Sequence, residues 1–144
     1  MKINYSNLYI QNVLKDVKTI AVVGASPKKH KESYKVVEFL YKYGFKLFLV
    51  NPNEINSSIF GLKFYANLKD INDHIDMIDV FRVPEALMDI TRDAIKIQAN
   101  ILWTQENIIN DEAARLAEDA GIKVIMDRCP KKELSKPYWT TKTK

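Results

Sequence analysis

The chain has 144 residues, 47% of them hydrophobic and 28% charged, which suits one compact domain with a real core over residues 1–144 and leaves no room for a second. A net charge of +4 is too mild to mark a nucleic-acid protein, and a lone cysteine excludes both a disulfide framework and a cysteine metal cluster. Met1 to Ser6 lacks the apolar core of a secretory signal and no apolar run reaches the roughly 20 residues that span a bilayer, so a cytoplasmic chain without membrane contact is expected.

Ser6 is placed to cap a helix over about 6–17, in which Ile10, Val13, Leu14 and Val17 repeat at helical spacing. Thr19 to Val23 reads as a first strand that runs into Gly24-Ala25-Ser26-Pro27 and the basic run Lys28-Lys29-His30-Lys31. A glycine that turns the chain, loop amides that face outward, cations and a following helix make a receptor for phosphate; an ordinary turn with solvated lysines is the plain alternative. Ser33 to Tyr43 carries Val36, Val37, Leu40 and Tyr43 on one helical face and stops at Gly44. Phe45 to Val50 is a second strand, closed by Asn51-Pro52-Asn53.

Ile55 to Lys69 reads as a loop with a minor strand or turn. Asp76 to Phe81 is a third strand, and Pro84 opens a helix carrying Leu87, Ile90, Ala94 and Ile97. Asn100 to Trp103 is a fourth strand. Asn110 caps a helix with Ala113, Leu116, Ala117 and Ala120 that ends before Gly121, and Lys123 to Met126 is a fifth strand. The core is expected over about 19–134. From Pro130 the lysines lack a period, and a basic tail over about 135–144 follows, with Tyr138 and Trp139 able to dock. No helix-turn-helix, zinc site or aromatic platform accompanies that tail, so no nucleic acid is expected.

Strands alternating with helices predict an α/β, Rossmann-like, three-layer doubly wound fold with a parallel five-stranded sheet in the order 3-2-1-4-5. Ligands in such sheets bind at the carboxyl ends of the strands where the order reverses. That places Gly24 to Ser26 on one wall and Trp103-Thr104-Gln105 on the other, with Asn51-Pro52 and Phe81-Arg82 completing the rim.

A dinucleotide fingerprint needs further glycines after Gly24 and an acidic residue ending the second strand, and this chain has neither. A P-loop is absent too. Lysines beside a diphosphate suit a ligand with an extra phosphate, either coenzyme A (CoA) or NADP. Cys129 follows the last strand and would need Arg128, Lys131 or Lys132 to become a thiolate; a small buried side chain is the simpler expectation. Asp127-Arg128 reads as a structural ion pair, and His30 and His74 as surface residues. Tyr41, Tyr43, Phe45 and Phe48 are expected in the core, and Asp70, Asp73, Asp76 and Asp79 on a solvated rim. No catalytic constellation and no metal-ligand spacing stands out, so a binding role outweighs an enzymatic one.

Val23-Gly24-Ala25-Ser26-Pro27-Lys28, Ser33-Tyr34, Val50-Asn51-Pro52, Ile59-Phe60-Gly61, Asp79-Val80-Phe81-Arg82, Glu112-Ala113-Ala114 and Met126-Asp127-Arg128-Cys129 occur in order over about Thr19 to Leu134. In these the chain resembles the small stand-alone CoA-binding domain proteins, which are similar to the CoA-binding domain of the succinyl-CoA synthetase α subunit. The resemblance implies CoA or an acyl-CoA as small-molecule ligand, with a protein partner and the oligomeric state left open. It implies that the Gly24-Ala25-Ser26 backbone and the Ser26 hydroxyl hold the diphosphate, that Lys28 or Lys29 meets phosphate charge, and that Pro27, Ser33 and Tyr34 belong to the same binding site. Asn51 and Pro52 would border the adenosine, Phe81 and Arg82 would line the pantetheine route, and Trp103 and Gln105 would complete the site. Where the family continues its Trp-x-Gln motif with Leu-Gly-Ile, this chain has Glu106-Asn107-Ile108. The alternatives are an NADP-binding oxidoreductase fragment and a component of an acyl-CoA ligase.

Overall fold

Thr19–Val23 forms the central strand β1, buried at every position but the first. It is flanked by β2 (Lys46–Val50), β3 (Ser58–Ile59), β4 (Leu62–Tyr65), β5 (Met77–Val80), β6 (Ile101–Thr104) and β7 (Lys123–Ile125), in a sheet of order β3-β4-β2-β1-β5-β6-β7. All pairs are parallel except β3 with β4. The structure is a computed structural model that describes residues 4–137; the expected docking of Tyr138 and Trp139, and most of the basic tail, lie outside the described residues.

The α/β Rossmann-like class agrees with expectation, but the sheet has seven strands rather than five, and its order differs. The difference comes from the segment read as a loop. Phe60 and Gly61, both at positive φ (53° and 79°), turn a β3–β4 hairpin, and β4 then pairs Phe64 and Tyr65 with Leu49 and Val50. It thereby takes the place beside β2 that the expected order gave to the strand at 76–81. That strand, β5, pairs instead with β1 from Ile20↔Met77 to Val23↔Val80. Burial explains why: all four β5 positions are buried, as in a strand with neighbours on both edges, whereas β4 buries only Phe64 and gives a weak apolar signal.

Helices cover both faces. On one side α1 (Asn7–Leu14), α2 (Glu32–Tyr43) and α5 (Pro130–Leu134) pack Ile10, Val36, Leu40 and Leu134 against Val22, Met77 and Trp103. On the other, α3 (Leu87–Lys96) and α4 (Asp111–Asp119) pack Ile90, Ala94, Ala113 and Ala117 against Ala21, Ile78 and Leu102. Each large aliphatic side chain buried here contributes roughly 1.5–3 kcal/mol. The predicted caps are in place: Ser6 Oγ accepts the Tyr9 amide at 3.1 Å, Asn110 Oδ1 accepts that of Ala113 at 3.0 Å, and Gly44 closes α2 with φ 115°. The amino-terminal helix is tied to β7, since the Tyr9 hydroxyl donates to the Val124 carbonyl and the Tyr5 hydroxyl accepts from the Met126 amide.

Two expectations about side chains are corrected. Tyr41 and Tyr43 are 44% and 42% exposed, stacking on Phe60 and Phe45 at the surface, because α2 turns its core face along Val36, Val37 and Leu40. Asp79 is not on a rim: it lies on β5 in the middle of the sheet and is fully buried, between Val22 of β1 and Trp103 of β6. Among the described residues no helix is long and apolar enough to cross a membrane.

Candidate functional site

The carboxyl end of β1 is held from both flanks. The Gly24 amide donates to the Val50 carbonyl of β2 at 2.9 Å, and the Phe81 amide beyond β5 donates to the Val23 carbonyl at 2.8 Å. Gly24 has φ 89°, and a Cβ there would sit 2.4 Å from the Phe81 carbonyl oxygen. Only glycine lets the chain turn so close to its neighbour. The order reversal therefore faces Gly24 with Phe81-Arg82, not with Trp103-Thr104-Gln105, which stand one strand farther out.

The loop after Gly24 is stiffened by its own polar side chains. The Ser26 amide donates to Ser33 Oγ at 3.1 Å, the Lys28 amide to Ser26 Oγ at 3.2 Å, and Asn51 Nδ2 to the Ala25 carbonyl at 3.0 Å. Ser33 and Asn51 thus shape the loop rather than project from it, and Asn51 Oδ1 is also used, by the Asn53 amide. The amides of Ala25, Lys29 and Glu32 have no acceptor among the described residues, and the Ser26 hydroxyl proton is free to be donated. Lys28, Lys29 and Lys31 are exposed, and none forms an ion pair among the described residues. Pro27 and Tyr34 are half-buried, Tyr34 tilted against Phe60 at 5.8 Å, while Pro52 is exposed on the far side of Asn51.

Beside this loop opens a cleft of about 640 Å³, walled by Phe81 and Arg82, by Glu32 from α2, and by Gln105, Glu106 and Cys129 beyond β6 and β7. Of the sequence candidates, Phe81, Arg82 and Gln105 line it. Trp103 does not. Its side chain is fully buried in the core and its indole N–H donates to the Arg128 carbonyl at 2.8 Å, so it offers no surface to a ligand. Alternation along β6 turns Trp103 inward, and the chain bend after Thr104 brings Gln105 to the opening.

The departure at Glu106-Asn107 is compensated on both counts. Asn107 takes φ 69°, the left-handed conformation that asparagine tolerates best after glycine, and its amide donates to Asp127 Oδ1 at 2.7 Å. The Glu106 carboxylate meets Lys132 Nζ at 2.9 and 3.1 Å, which offsets its charge toward an anionic ligand. Asn107→Gly is expected to leave thermal stability unchanged, while Asn107→Val lowers it by about 1–2 kcal/mol, measured by denaturant unfolding.

Two buried titratable residues stand here, Cys129 in the cleft wall and Asp79 behind Gln105. Burial pushes the Asp79 carboxyl up from 3.8 to about 7, against the hydrogen bond that Gln105 Nε2 donates to its Oδ1 at 2.6 Å; its Oδ2 has no partner among the described residues. Cys129 is 5% exposed, and burial pushes its thiol up, against the amides of Lys132 and Lys131 and helped by the charges of Asp79 and Glu106. This agrees with the small buried side chain expected at Cys129, and Lys132, one of the cations a thiolate would need, is paired with Glu106. The reading of Asp79 as a rim residue missed this, although an acidic residue in a strand of otherwise apolar character was a signal for it; nothing in the sequence marked Gln105 as its partner.

Residues 18–135 match the family model described as "CoA binding domain". The chain is 34% identical over 128 residues to a Bacillus subtilis protein known as uncharacterized protein YneT, covering 89% of this chain and 93% of that one. It superposes on a hypothetical protein from Pyrococcus horikoshii with a TM-score of 0.85 and 32% identity, over 93% of this chain and 96% of that one. It is also 25% identical over 120 residues to an ADP-forming acetate–CoA ligase of Methanocaldococcus jannaschii, where it covers 78% of this chain and only 17% of the ligase. A loop built on a glycine that admits no Cβ, an adjoining cleft at the strand ends and a match over 18–135 agree: the chain belongs to the CoA binding domain family.

Proposed function

We propose that this chain binds CoA or an acyl-CoA in a carrier or regulatory role, through the unit spanning about 18–135. The observation that supports this best is the contact of Gly24 with the Phe81 carbonyl, which sets a loop with unused amide donors directly beside the cleft. The diphosphate lies on Ala25 and Ser26, and Lys28 or Lys29 meets the ribose phosphate. The pantetheine arm crosses Phe81 and Arg82 toward Gln105 and Cys129. From β1 to β7 is three strand spacings, roughly 14 Å, a distance an extended arm spans. No second glycine follows Gly24 to let a dinucleotide pyrophosphate approach closely, which disfavours an NADP-binding oxidoreductase fragment. The similarity to one sixth or so of an acetate–CoA ligase favours, as a second reading, a component that works with another chain.

Calorimetric titration of the reduced protein with CoA, dephospho-CoA and NADPH tests this reading. CoA is expected to bind, dephospho-CoA about tenfold more weakly, and Lys28→Glu to weaken CoA about tenfold with a smaller effect on dephospho-CoA, as one charge-assisted contact implies. The affinity falls as salt rises. Heat with NADPH and none with CoA refutes the assignment in favour of an oxidoreductase fragment.

A further inference from the structure

Gln105 is 6% exposed, yet it lines the cleft. Its Nε2 is committed inward to Asp79 Oδ1, and its Oε1 accepts no hydrogen bond among the described residues. An amide so placed presents an acceptor to whatever enters. Behind it, Asp79 Oδ2 is fully buried and likewise without a partner, so among the described residues Gln105 alone is hydrogen-bonded to that carboxyl. A protonated carboxyl must donate its O–H, and the amide within reach can receive it only by turning its oxygen inward, which turns its NH₂ outward.

We propose that Asp79 is a positioning residue that sets, through the Gln105 amide, whether the cleft floor accepts a hydrogen bond from a free thiol or donates one to a thioester carbonyl. This rests on the CoA reading given above. The thiol of CoA is a donor and the carbonyl of an acyl-CoA an acceptor, so the two ligands differ in the one group that reaches the floor. With Asp79 ionised the outward Oε1 favours the thiol; with Asp79 protonated the outward NH₂ favours the thioester. The group changes charge near neutrality, within reach of ordinary buffers.

The ionisable groups around this floor do not imitate the effect. Cys129 is held above its ordinary range and stays a thiol, Glu106 is paired with Lys132, and Glu133 is paired with Lys136. Glu32 and Arg82 line the cleft and act equally on both ligands.

The test is the ratio of the dissociation constants of CoA and acetyl-CoA at pH 5.8 and pH 8.2, in the wild-type chain and in Asp79→Asn. Both ligands carry the same phosphates, so the ratio cancels phosphate titration. The wild-type ratio is expected to shift toward acetyl-CoA by about three- to tenfold on going to pH 5.8, the worth of one hydrogen bond, and the Asp79→Asn ratio to stay flat. A flat wild-type ratio overturns the proposal, as does an equal shift in the variant. Where Asp79→Asn does not fold, Gln105→Leu replaces it, with the same flat ratio expected. Failure of both ligands to bind at either pH overturns the CoA reading and this inference together, whereas binding with a flat ratio overturns this inference alone.

Discussion

Gly24→Ala is expected to destabilise the protein by about 3 kcal/mol or more, lowering the unfolding midpoint by roughly 10 °C, and to abolish CoA binding in whatever fraction still folds. Two costs add. The backbone at φ 89° is a conformation that an L side chain adopts at about 1–2 kcal/mol. The larger cost is steric, because the methyl group would stand 2.4 Å from the Phe81 carbonyl oxygen and 3.0 Å from Arg82 Cδ. The arginine side chain can swing away; the carbonyl cannot, since the amide of the same residue is hydrogen-bonded to Val23 at 2.8 Å and β5 is buried along its length. Relief therefore requires β1 and β5 to part at the end where the cleft opens. Gly61 supplies the control: its φ is 79°, but a Cβ there meets nothing within 4 Å. Gly61→Ala should lose only the conformational term, about 1 kcal/mol, with CoA affinity unchanged. Equal losses for the two variants in parallel denaturant titrations would show that closeness to Phe81 is not what Gly24 provides.

The same pair of strands shows what the sequence could and could not reveal. Thr19–Val23 and the turn at Gly24 are local: a run of β-branched residues followed by a glycine is visible without any knowledge of neighbours. The caps at Ser6, Asn110 and Gly44 are equally local, and each stands where expected. Which strand lies beside β1 is a long-range matter. It turned on β4, four residues with one buried side chain, whose weak pattern hid a strand that takes the place beside β2 and leaves β5 on the far side of β1. That single shift moved Phe81-Arg82 up against Gly24 and set Trp103-Thr104-Gln105 one strand farther from it. Pairings such as Gln105 with Asp79, 26 residues apart, and Glu106 with Lys132 depend on the register of β5, β6 and the turn after β7, so no spacing rule foretold them. The short helix α5 was hidden for a related reason: five residues give no period, and only Pro130 at its first turn marks it.

Asp79→Asn is expected to abolish most of the pH dependence of folding between about pH 4 and 7 and to make the protein more stable than wild type at pH 8, by on the order of 4 kcal/mol. The sign follows from where the proton goes. Burial raises the folded-state carboxyl from 3.8 to about 7, the Gln105 hydrogen bond opposing. Below about pH 4 both folded and unfolded chains hold the proton, and Asp79 contributes no penalty. Between 4 and 7 the unfolded chain releases it while the folded chain keeps it, so stability falls as pH rises. Above 7 both are ionised and the full cost of a buried carboxylate is present. An asparagine is nearly isosteric, never ionises, and directs an N–H where the protonated acid directs its O–H, so the two chains should match near pH 4 and diverge above it. Parallel stability curves for the two, from unfolding at pH 4, 6 and 8, would mean that Asp79 ionises in the fold as freely as in water. A charge held at such cost in the middle of the sheet has no structural return, since Oδ2 bonds to nothing among the described residues. Its one hydrogen-bond partner among the described residues is the amide that faces the cleft, which is why a substitution that stabilises the fold should also remove the pH-dependent discrimination between thiol and thioester ligands.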